Sequence, residues 1–206
     1  MYVDIVFPNN NEEEFISMAF KLGYNGLCFV YIDIKDTDKI KEKIDNLQKN
    51  TKINLFFGFK CEEIKKIKNN LTFIKSSYNI QKTLEKGKFD VLYGTEDVFK
   101  KDYIHHRASG LNHVLCKLAF KNKVMIAFSL NSILRSREKP KLLGRITQNI
   151  KLCRKYNIKM ILASFALEPF EMRAYHDLIS LGIVLGMTNL EAKRSLQNIL
   201  EKIKNS

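Results

Sequence analysis

The sequence contains no tryptophan, and only 3 prolines and 9 glycines occur among its 206 residues. A chain so poor in proline and glycine, with 45% hydrophobic residues, is neither collagen-like nor broadly disordered. The cysteines are few and widely spaced, at Cys28, Cys61, Cys116 and Cys153. No C-x-x-C pair is present, which excludes a zinc ribbon and a thioredoxin-type redox motif. Each cysteine lies in an apolar run, so we expect reduced, buried thiols.

Membrane-spanning and targeting segments are also missing from the sequence. No stretch approaches the roughly 18 consecutive apolar residues that a transmembrane helix needs. The first ten residues, MYVDIVFPNN, lack the basic start of a signal peptide. No linker, repeat or low-complexity tract divides the chain. We therefore expect a cytoplasmic protein without membrane contacts that folds as one domain over residues 1–206.

Acidic residues are scarce in the second half of the chain. Residues 1–100 carry 16 basic and 15 acidic side chains, whereas residues 101–206 carry 19 and 7. All seven arginines lie in that second half, and the planar guanidinium group is a preferred ligand of phosphate. This segregation of charge indicates a polyanionic partner, most simply a nucleic acid.

Short apolar runs alternate with amphipathic segments along the sequence. Seven runs are typical of buried parallel strands, and they span 2–7, 26–32, 53–59, 71–75, 89–93, 124–129 and 160–164. Five segments between them have helical periodicity: 12–22, 37–47, 79–86, 111–121 and 141–156. We predict an α/β fold, a compact TIM-like (β/α) barrel of seven to eight parallel strands with an imperfect eighth unit. An open doubly wound sheet is the alternative, but no G-x-G-x-x-G follows the first strand.

The C-terminal segment has the pattern of a further helix. Thr188 and Glu191 have the spacing of a capping box, in which each side chain accepts a hydrogen bond from the other residue's amide. The apolar stripe of one helix follows, at Ala192, Leu196, Ile199, Leu200 and Ile203.

Three loops after predicted strands carry arginines, and in a barrel such loops form the working surface. The loop at 94–110 contains Arg107, the loop at 131–140 contains Arg135 and Arg137, and the loop at 165–170 leads to Arg173.

Helix 111–121 begins beside Arg107. We predict Ser109 as its N-cap, and Gly110 would permit close approach of a ligand backbone. A helix N-terminus beside an arginine can hold a phosphate through its free amides. The alternative is an ordinary capped helix whose Arg107 pairs with Asp102 or Glu96.

Two predicted helices have basic outer faces. These faces comprise His113, Lys117 and Lys121 in helix 111–121, and Lys141, Arg145, Gln148 and Lys155 in helix 141–156. A solvated basic face is the ordinary explanation. Helix 141–156 has no acidic residue, however, so the i,i+4 ion pairs typical of a solvated helix are missing. This favours an external anion as partner.

No constellation typical of protein-borne catalysis is present. A metallohydrolase on this fold needs clustered histidines and carboxylates at strand ends. Asp4 in the first strand has no such companions, and the other candidates are scattered: Asp33, Glu96, Asp97, His105, His106 and His176. P-loop and G-x-S-x-G motifs are absent. We therefore assign no catalytic and no metal-binding residue.

The run His106-Arg107-Ala108-Ser109-Gly110-Leu111-Asn112-His113 resembles the central motif of the ribonuclease P protein component 3 family, archaeal relatives of the eukaryotic thirty-kilodalton ribonuclease P subunit. The similarity continues through 124–129, Leu142-Leu143, Asn149-Ile150, 152–156, Ala163-Ser164, Met172-Arg173, Asp177-Leu178 and Leu185-Gly186-Met187.

The resemblance implies a barrel related to the PHP phosphoesterases and a role in ribonuclease P, the ribonucleoprotein endonuclease that removes the 5′ leader of precursor tRNA. The RNA would cleave, leaving a 5′-phosphate, and the protein would bind and stabilise it, with Mg²⁺ on the RNA and no cofactor on the protein. Implied partners are ribonuclease P RNA, an RRM-like subunit in a heterotetramer, other ribonuclease P proteins, and precursor tRNA as substrate of the complex. PHP enzymes open with Asp-x-His-x-His, and Asp4-Ile5-Val6-Phe7-Pro8 lacks both histidines.

The predicted RNA-contacting residues follow from the arginine loops, the basic helix faces and this motif. They are Arg107, Ser109, Asn112, His113, Lys117, Arg135, Arg137, Lys141, Arg145, Arg154, Lys155 and Arg173. Asn112 could instead only support Arg107, and Arg154 and Lys155 could complement the dipole of their helix.

Two other functions stay open at this point. A divergent metal-dependent PHP-type phosphoesterase would hydrolyse phosphoesters with Mn²⁺ or Zn²⁺. The third possibility is a metal-free scaffold that binds only proteins, for which a double Arg107→Ala, Arg135→Ala substitution would leave RNA association intact.

Overall fold

A computed structural model describes residues 1–32, 37–61 and 70–203, so Asp33 lies outside the described residues. Seven parallel strands form one sheet in the order in which they occur along the chain. They span Val3–Val6 (β1), Gly26–Tyr31 (β2), Asn54–Cys61 (β3), Leu71–Lys75 (β4), Val91–Tyr93 (β5), Met125–Ser129 (β6) and Met160–Ala163 (β7). All seven predicted strands are confirmed, and no strand boundary differs from its predicted position by more than two residues.

Helices connect the strands and cover the outside of the sheet. The described residues form Glu12–Lys21 (α1), Thr37–Lys49 (α2), Ile80–Lys86 (α3), His113–Lys121 (α4), Leu130–Arg135 (α5), Lys139–Lys155 (α6), Tyr175–Val184 (α7), Asn189–Ser195 (α8) and Ile199–Ile203 (α9). Short 3-10 turns occur at Thr95–Asp97 and Pro169–Glu171. None of the helices in the described part of the chain is long and apolar enough to cross a bilayer.

The sheet curls into a nearly closed barrel whose seam lies between β1 and β7. Only a few hydrogen bonds close it: Phe7 N–H donates to the Ala166 carbonyl (2.8 Å), and Ser164 N–H donates to Asp4 Oδ1 (2.7 Å). Within the described residues no eighth strand forms, because the chain after β7 turns into helices instead. The predicted eighth unit is therefore helical.

Two apolar layers follow from the alternation of side chains along each strand. One layer fills the barrel interior and includes Ile5, Phe73, Val91, Tyr93 and Ile161; we call it the lumen cluster. The other lies between the strands and the surrounding helices and includes Leu27, Phe29, Leu92, Phe128 and Leu162. All four cysteines are buried free thiols, as predicted.

The predicted C-terminal helix is interrupted. The Thr188–Glu191 capping box is confirmed at the start of α8. The Leu196 carbonyl, however, accepts a hydrogen bond from Val3 N–H (3.0 Å), which takes it out of helical pairing. Helix α9 then packs Ile199 against the lumen cluster and covers the amino-terminal end of the barrel. The carboxyl-terminal ends of the strands therefore form the open mouth.

Candidate nucleic-acid interface

The segment 94–112, which joins β5 to α4 and which we call the motif loop, is held in place by Arg145 of α6. Arg145 is only 3% exposed. Its Nη1 donates to the carbonyls of Glu96 (2.9 Å) and Phe99 (2.7 Å), and its Nε donates to Asp102 Oδ1 (2.7 Å). The prediction that Arg145 lies on a solvent-exposed face is wrong, because the motif loop covers that face of α6.

Acidic partners for the basic residues of α6 come from other segments. Glu138 pairs with Lys141 (2.6 Å), Asp102 with Arg145 (2.7 Å), and Glu191 with Arg154 (2.6 Å). The absence of acidic residues inside this helix therefore does not leave these three cations without counter-charges. The inference of an external anion from that absence is wrong for them, since Glu138 is the N-cap just before α6 and Asp102 and Glu191 come from distant parts of the chain.

The pKa values of two carboxyl groups reflect these pairs. Burial acts to raise the pKa of Asp102, but the hydrogen bonds from Ala108 N–H and the Arg145 guanidinium outweigh it and lower this pKa. Hydrogen bonds from Arg154 lower the pKa of Glu191 to about 2 against the opposing effect of burial. Both carboxylates are thus ionised at neutral pH and balance their arginines.

The N-cap of α4 is Asn112 rather than the predicted Ser109. Asn112 Oδ1 accepts hydrogen bonds from the backbone amides of Val114 and Leu115, both at 2.9 Å. Ser109 is buried, and its hydroxyl accepts a hydrogen bond from Gln148 Nε2 of α6 (3.0 Å). Asn112 therefore consumes two of the amides that a free helix end would offer to a phosphate.

Gly110 packs against another segment of the backbone and not against a ligand. Its φ is +82°, and a Cβ at this position would lie 1.9 Å from the Thr95 carbonyl oxygen. Asn149 of α6 reinforces this crossing by donating to the Ser109 carbonyl (2.8 Å) and to the Thr95 hydroxyl (3.0 Å). The prediction that Gly110 admits a ligand backbone is wrong, since Thr95 occupies that space.

Arg107 is presented to solvent from this braced loop. It makes no ion pair with any described residue, and the predicted alternative partner Asp102 is taken by Arg145. Its guanidinium lies across Gly144 of α6, where a Cβ would come within 2.8 Å of Arg107 Nε. A cation that is held by backbone contacts and left without a carboxylate is available to an external anion.

Exposed cations continue from Arg107 along two elements. His113 and Lys117 are exposed on α4, and Arg137 is exposed between α5 and α6. A cleft of about 180 Å³ lies between the motif loop and that connection, and its lining includes Lys100, Ser136 and Lys141 together with the acidic Asp97 and Glu138. We call the motif loop, the exposed side of α4, the start of α6 and the α5–α6 connection together the motif surface.

The remaining predicted residues lie elsewhere or are engaged. Arg135 pairs with Glu171 and donates to Asn131 Oδ1 (2.8 Å). Arg154 and Lys155 end α6, about 20 Å from Lys141 at 1.5 Å per residue. Arg173 donates to the carbonyls of Phe170 and Met172.

Sequence reasoning missed Lys60 and Lys75, which line the mouth of the barrel. Each stands near the carboxyl end of a strand, at a position whose neighbour in the adjacent strand belongs to the lumen cluster. Period-two reading of the strand ends would have placed both lysines on the inner side.

The described residues do not fit the metal centre of a PHP enzyme. No group of three or more His, Cys, Asp or Glu side chains in the described ranges is arranged to hold a metal ion. Asp4 is fully buried, and burial raises its pKa to about 6 although hydrogen bonds from Ser164 and Ile5 oppose the shift. Its Oδ1 accepts from Ser164 N–H, so this carboxyl group joins the two strands of the seam.

Comparison with known sequences supports the resemblance of the motif. Residues 1–206 match the model of a family described as RNase P subunit p30. A Methanosarcina barkeri protein named Ribonuclease P protein component 3 is 26% identical over 94% of this chain and 82% of its own length. The Methanosarcina acetivorans protein of that name is 35% identical over 50% of this chain, and the match spans less than half (45%) of that relative.

Comparison with solved structures supports the barrel. A chain of the cryo-EM structure of archaeal ribonuclease P with mature tRNA has a TM-score of 0.79 at 20% identity, over 97% of this chain and 90% of that chain. A histidinol phosphate phosphatase from Lactococcus lactis has a TM-score of 0.64 at 9% identity, over 91% and 94%. These likenesses confirm the predicted TIM-like α/β barrel. With its braced motif loop on this barrel and a family match over all 206 residues, the chain belongs to the RNase P subunit p30 family.

Proposed function

We propose that this chain is a non-catalytic subunit of ribonuclease P that binds and stabilises the catalytic RNA, while the complex removes the 5′ leader of precursor tRNA and leaves a 5′-phosphate. The observation that carries the proposal is the motif loop. Arg145 and Asn149 of α6 hold this loop in place by hydrogen bonds to its backbone carbonyls. Arg107 is exposed on the loop and has no carboxylate partner in the described structure. Family membership supports the assignment to ribonuclease P.

The chemistry of the motif surface suits a folded RNA. Arg107, Lys117 and Arg137 are exposed, and cations of this kind neutralise phosphates and release condensed counterions. His113 is also exposed and offers a hydrogen-bonding ring one turn before Lys117. Such contacts lower the repulsion between closely packed RNA strands and do not read base sequence. Arg145 and Arg154 act instead as internal braces, and Ser109 and Asn112 support the loop and the helix that follows it.

The partners we propose are those the resemblance implied. They are ribonuclease P RNA, an RRM-like subunit in a heterotetramer, other ribonuclease P proteins, and precursor tRNA as substrate of the complex. The metal ions of the reaction, Mg²⁺, would reside on the RNA, and this chain would hold no cofactor. We also infer a cytoplasmic location, since the four free cysteine thiols suit a reducing compartment.

Reconstitution of precursor-tRNA cleavage tests the function. RNA and protein subunits are assembled with and without this chain, and the rate of 5′-leader removal is measured. We expect the chain to raise the rate at limiting Mg²⁺ and the isolated chain to cleave nothing. Unchanged rates with and without it would contradict the proposal, and hydrolysis of phosphoesters by the isolated chain with Mn²⁺ or Zn²⁺ would favour a phosphoesterase.

A double substitution tests the motif surface within that assay. We choose Arg107→Ala with Arg137→Ala, because neither arginine has an ion-pair partner among the described residues, whereas Arg135 pairs with Glu171. The matched control is Lys193→Ala with Arg194→Ala, which removes the same charge from exposed positions on α8. Equal loss of RNA affinity in both double variants would show that only net charge matters.

A further inference from the structure

The mouth of the barrel contains a second basic site, which adjoins the motif surface at Asp97 and Ser136. A cleft of about 490 Å³ opens at the carboxyl ends of the strands. Lys60, Lys75, Asp97 and Arg135 line it at the ends of β3 to β6, and Leu167 and Ile32 line it at the ends of β7 and β2, on the side of the seam. Its volume lies within the roughly 300–1,000 Å³ of pockets that hold small ligands.

Strand register directs the two lysines toward this cleft. Lys60 of β3 pairs with Phe73 of β4, and Lys75 of β4 pairs with Tyr93 of β5. Phe73 and Tyr93 both belong to the lumen cluster, and paired residues of parallel strands point to the same side of a sheet. Both lysines therefore occupy inward positions in the last layers of the barrel, where barrel proteins place their ligand-binding residues.

The charge of the cleft is not balanced by the described residues that line it. Arg135 has its own partner in Glu171, outside the cleft lining. Lys60 and Lys75 are in ion-pair contact with no described carboxylate. Asp97 is the one acidic residue among the described lining residues, and Lys75 attracts it electrostatically. Lys75 also attracts the Glu96 carboxyl group, which is fully buried and does not line the cleft. The described lining residues therefore carry more positive than negative charge, which favours binding of an anion.

The side of the cleft at the seam is apolar. Ile32 is 65% exposed and Leu167 is 40% exposed at the rim. The floor is aromatic, with the rings of Tyr93 and Phe165 stacked at 5.4 Å and that of Phe7 at 5.9 Å from Phe165. A ligand that fits both sides carries an anionic group and a flat apolar group, and a nucleotide combines a phosphate with a base.

We propose that the barrel mouth is a second RNA contact, in which Lys60 and Lys75 bind the phosphate of one unpaired nucleotide and the apolar rim contacts its base. Unpaired nucleotides expose the base faces that proteins use when they bind RNA outside helices. The inference rests on the proposed function in that the ligand is RNA, but the two lysines and the apolar rim residues that it uses lie outside the motif surface.

Binding of a single-stranded oligouridylate to the full chain, measured by fluorescence anisotropy over a salt series, tests the inference. The test variant is Lys60→Gln with Lys75→Gln, and the matched control is Lys49→Gln with Lys52→Gln, two exposed lysines near the other end of the barrel. We expect the test variant to bind the oligouridylate about tenfold more weakly than the unaltered protein. The slope of log affinity against log salt concentration should also fall by about 0.7, the value for one phosphate of a single strand. The control should match the unaltered protein, and Lys60→Arg with Lys75→Arg should retain binding.

Uridine 5′-monophosphate identifies the source of the phosphate. We expect it to displace the oligouridylate only at much higher concentration, because the RNA makes further contacts. Equal affinity for the mononucleotide and the oligomer would overturn the assignment to RNA in favour of a free nucleotide. Equal losses in the test and control variants, no loss in either, or no oligouridylate binding by the unaltered protein would also overturn it. If the chain still raises ribonuclease P activity in reconstitution, such a failure leaves the proposed function intact.

Discussion

Arg145 determines the shape of the motif loop although it does not reach the surface. Its guanidinium binds two backbone carbonyls and the Asp102 carboxylate, which in turn accepts the Ala108 amide next to Arg107. An exposed loop would otherwise lose conformational entropy without compensation on ordering. The buried arginine therefore holds in place the loop from which the proposed RNA contact Arg107 is exposed.

Replacement of Arg145 should be costly. Arg145→Met removes three hydrogen bonds and leaves Asp102 without its cation, so we expect a loss of about 3 kcal/mol in the free energy of unfolding. This value is at the low end for the loss of one partner of a buried ion pair, because the Asp102 side chain is still 29% exposed. Urea denaturation measures the change. The control is Lys155→Met on the exposed side of the same helix, and its free energy of unfolding should stay within about 0.5 kcal/mol of that of the original protein. A loss below 1 kcal/mol for Arg145→Met would show that the loop does not depend on this brace.

Glu96 makes the stability of the protein depend on pH. Burial raises its pKa to about 7, while the unfolded chain has the ordinary value of 4.5, so the folded state binds this proton more tightly. Its contribution to stability is fully present below pH 4.5 and is lost as the pH rises through about 7. Glu96→Gln cannot ionise, and we expect it to exceed the original protein in stability at pH 8 by on the order of 2–3 kcal/mol, at 1.36 kcal/mol per pH unit.

Urea denaturation at pH 5 and pH 8 checks the effect of Glu96. The difference between Glu96→Gln and the original protein should be larger at pH 8 than at pH 5. Equal differences at the two pH values would mean that Glu96 keeps an ordinary pKa in the folded state.

At the scale of elements, α4 depends on its N-cap. Asn112 accepts hydrogen bonds from two amides of the first turn, and Asn112→Ala leaves both without that partner. We expect a loss of about 1 kcal/mol in the free energy of unfolding, whereas Asn112→Ser should preserve most of it. Equal stability of the alanine variant and the original protein in thermal and urea unfolding would show that the cap is not needed.

The local sequence predicted the positions of most strands and helices, but it did not predict where some of the helices begin and end. The seven strands and the first five predicted helices are where the apolar periodicity placed them, because burial of a face imposes that period. The start of α4 moved from Ser109 to Asn112 because Gln148 and Asn149 of α6 bind the Ser109 hydroxyl and carbonyl. The break between α8 and α9 depends on Val3, nearly the whole chain away from Leu196.

At the scale of the molecule, the charge asymmetry should appear in the salt dependence of RNA binding. Each phosphate neutralised contributes about 0.7 to 0.9 to the slope of log affinity against log salt concentration. We expect Arg107→Ala with Arg137→Ala to lower the slope of binding to ribonuclease P RNA by about 1.5, as measured by filter binding. The Lys193→Ala, Arg194→Ala control should leave the slope unchanged, and an equal decrease would assign the effect to net charge alone.

The sequence by itself determined the barrel, the basic second half and the family motif, because periodicity, composition and short motifs are properties of neighbouring residues. Which cations have a carboxylate partner among the described residues was decided by the tertiary structure. Arg145 and Asp102 are 43 positions apart, and Arg154 and Glu191 are 37 apart, so no helical spacing reveals that these pairs form. Lys60 and Lys75 both line the barrel mouth for a related reason: the parallel pairing of β3 and β4 places their carboxyl ends side by side although 15 positions separate the two lysines along the chain.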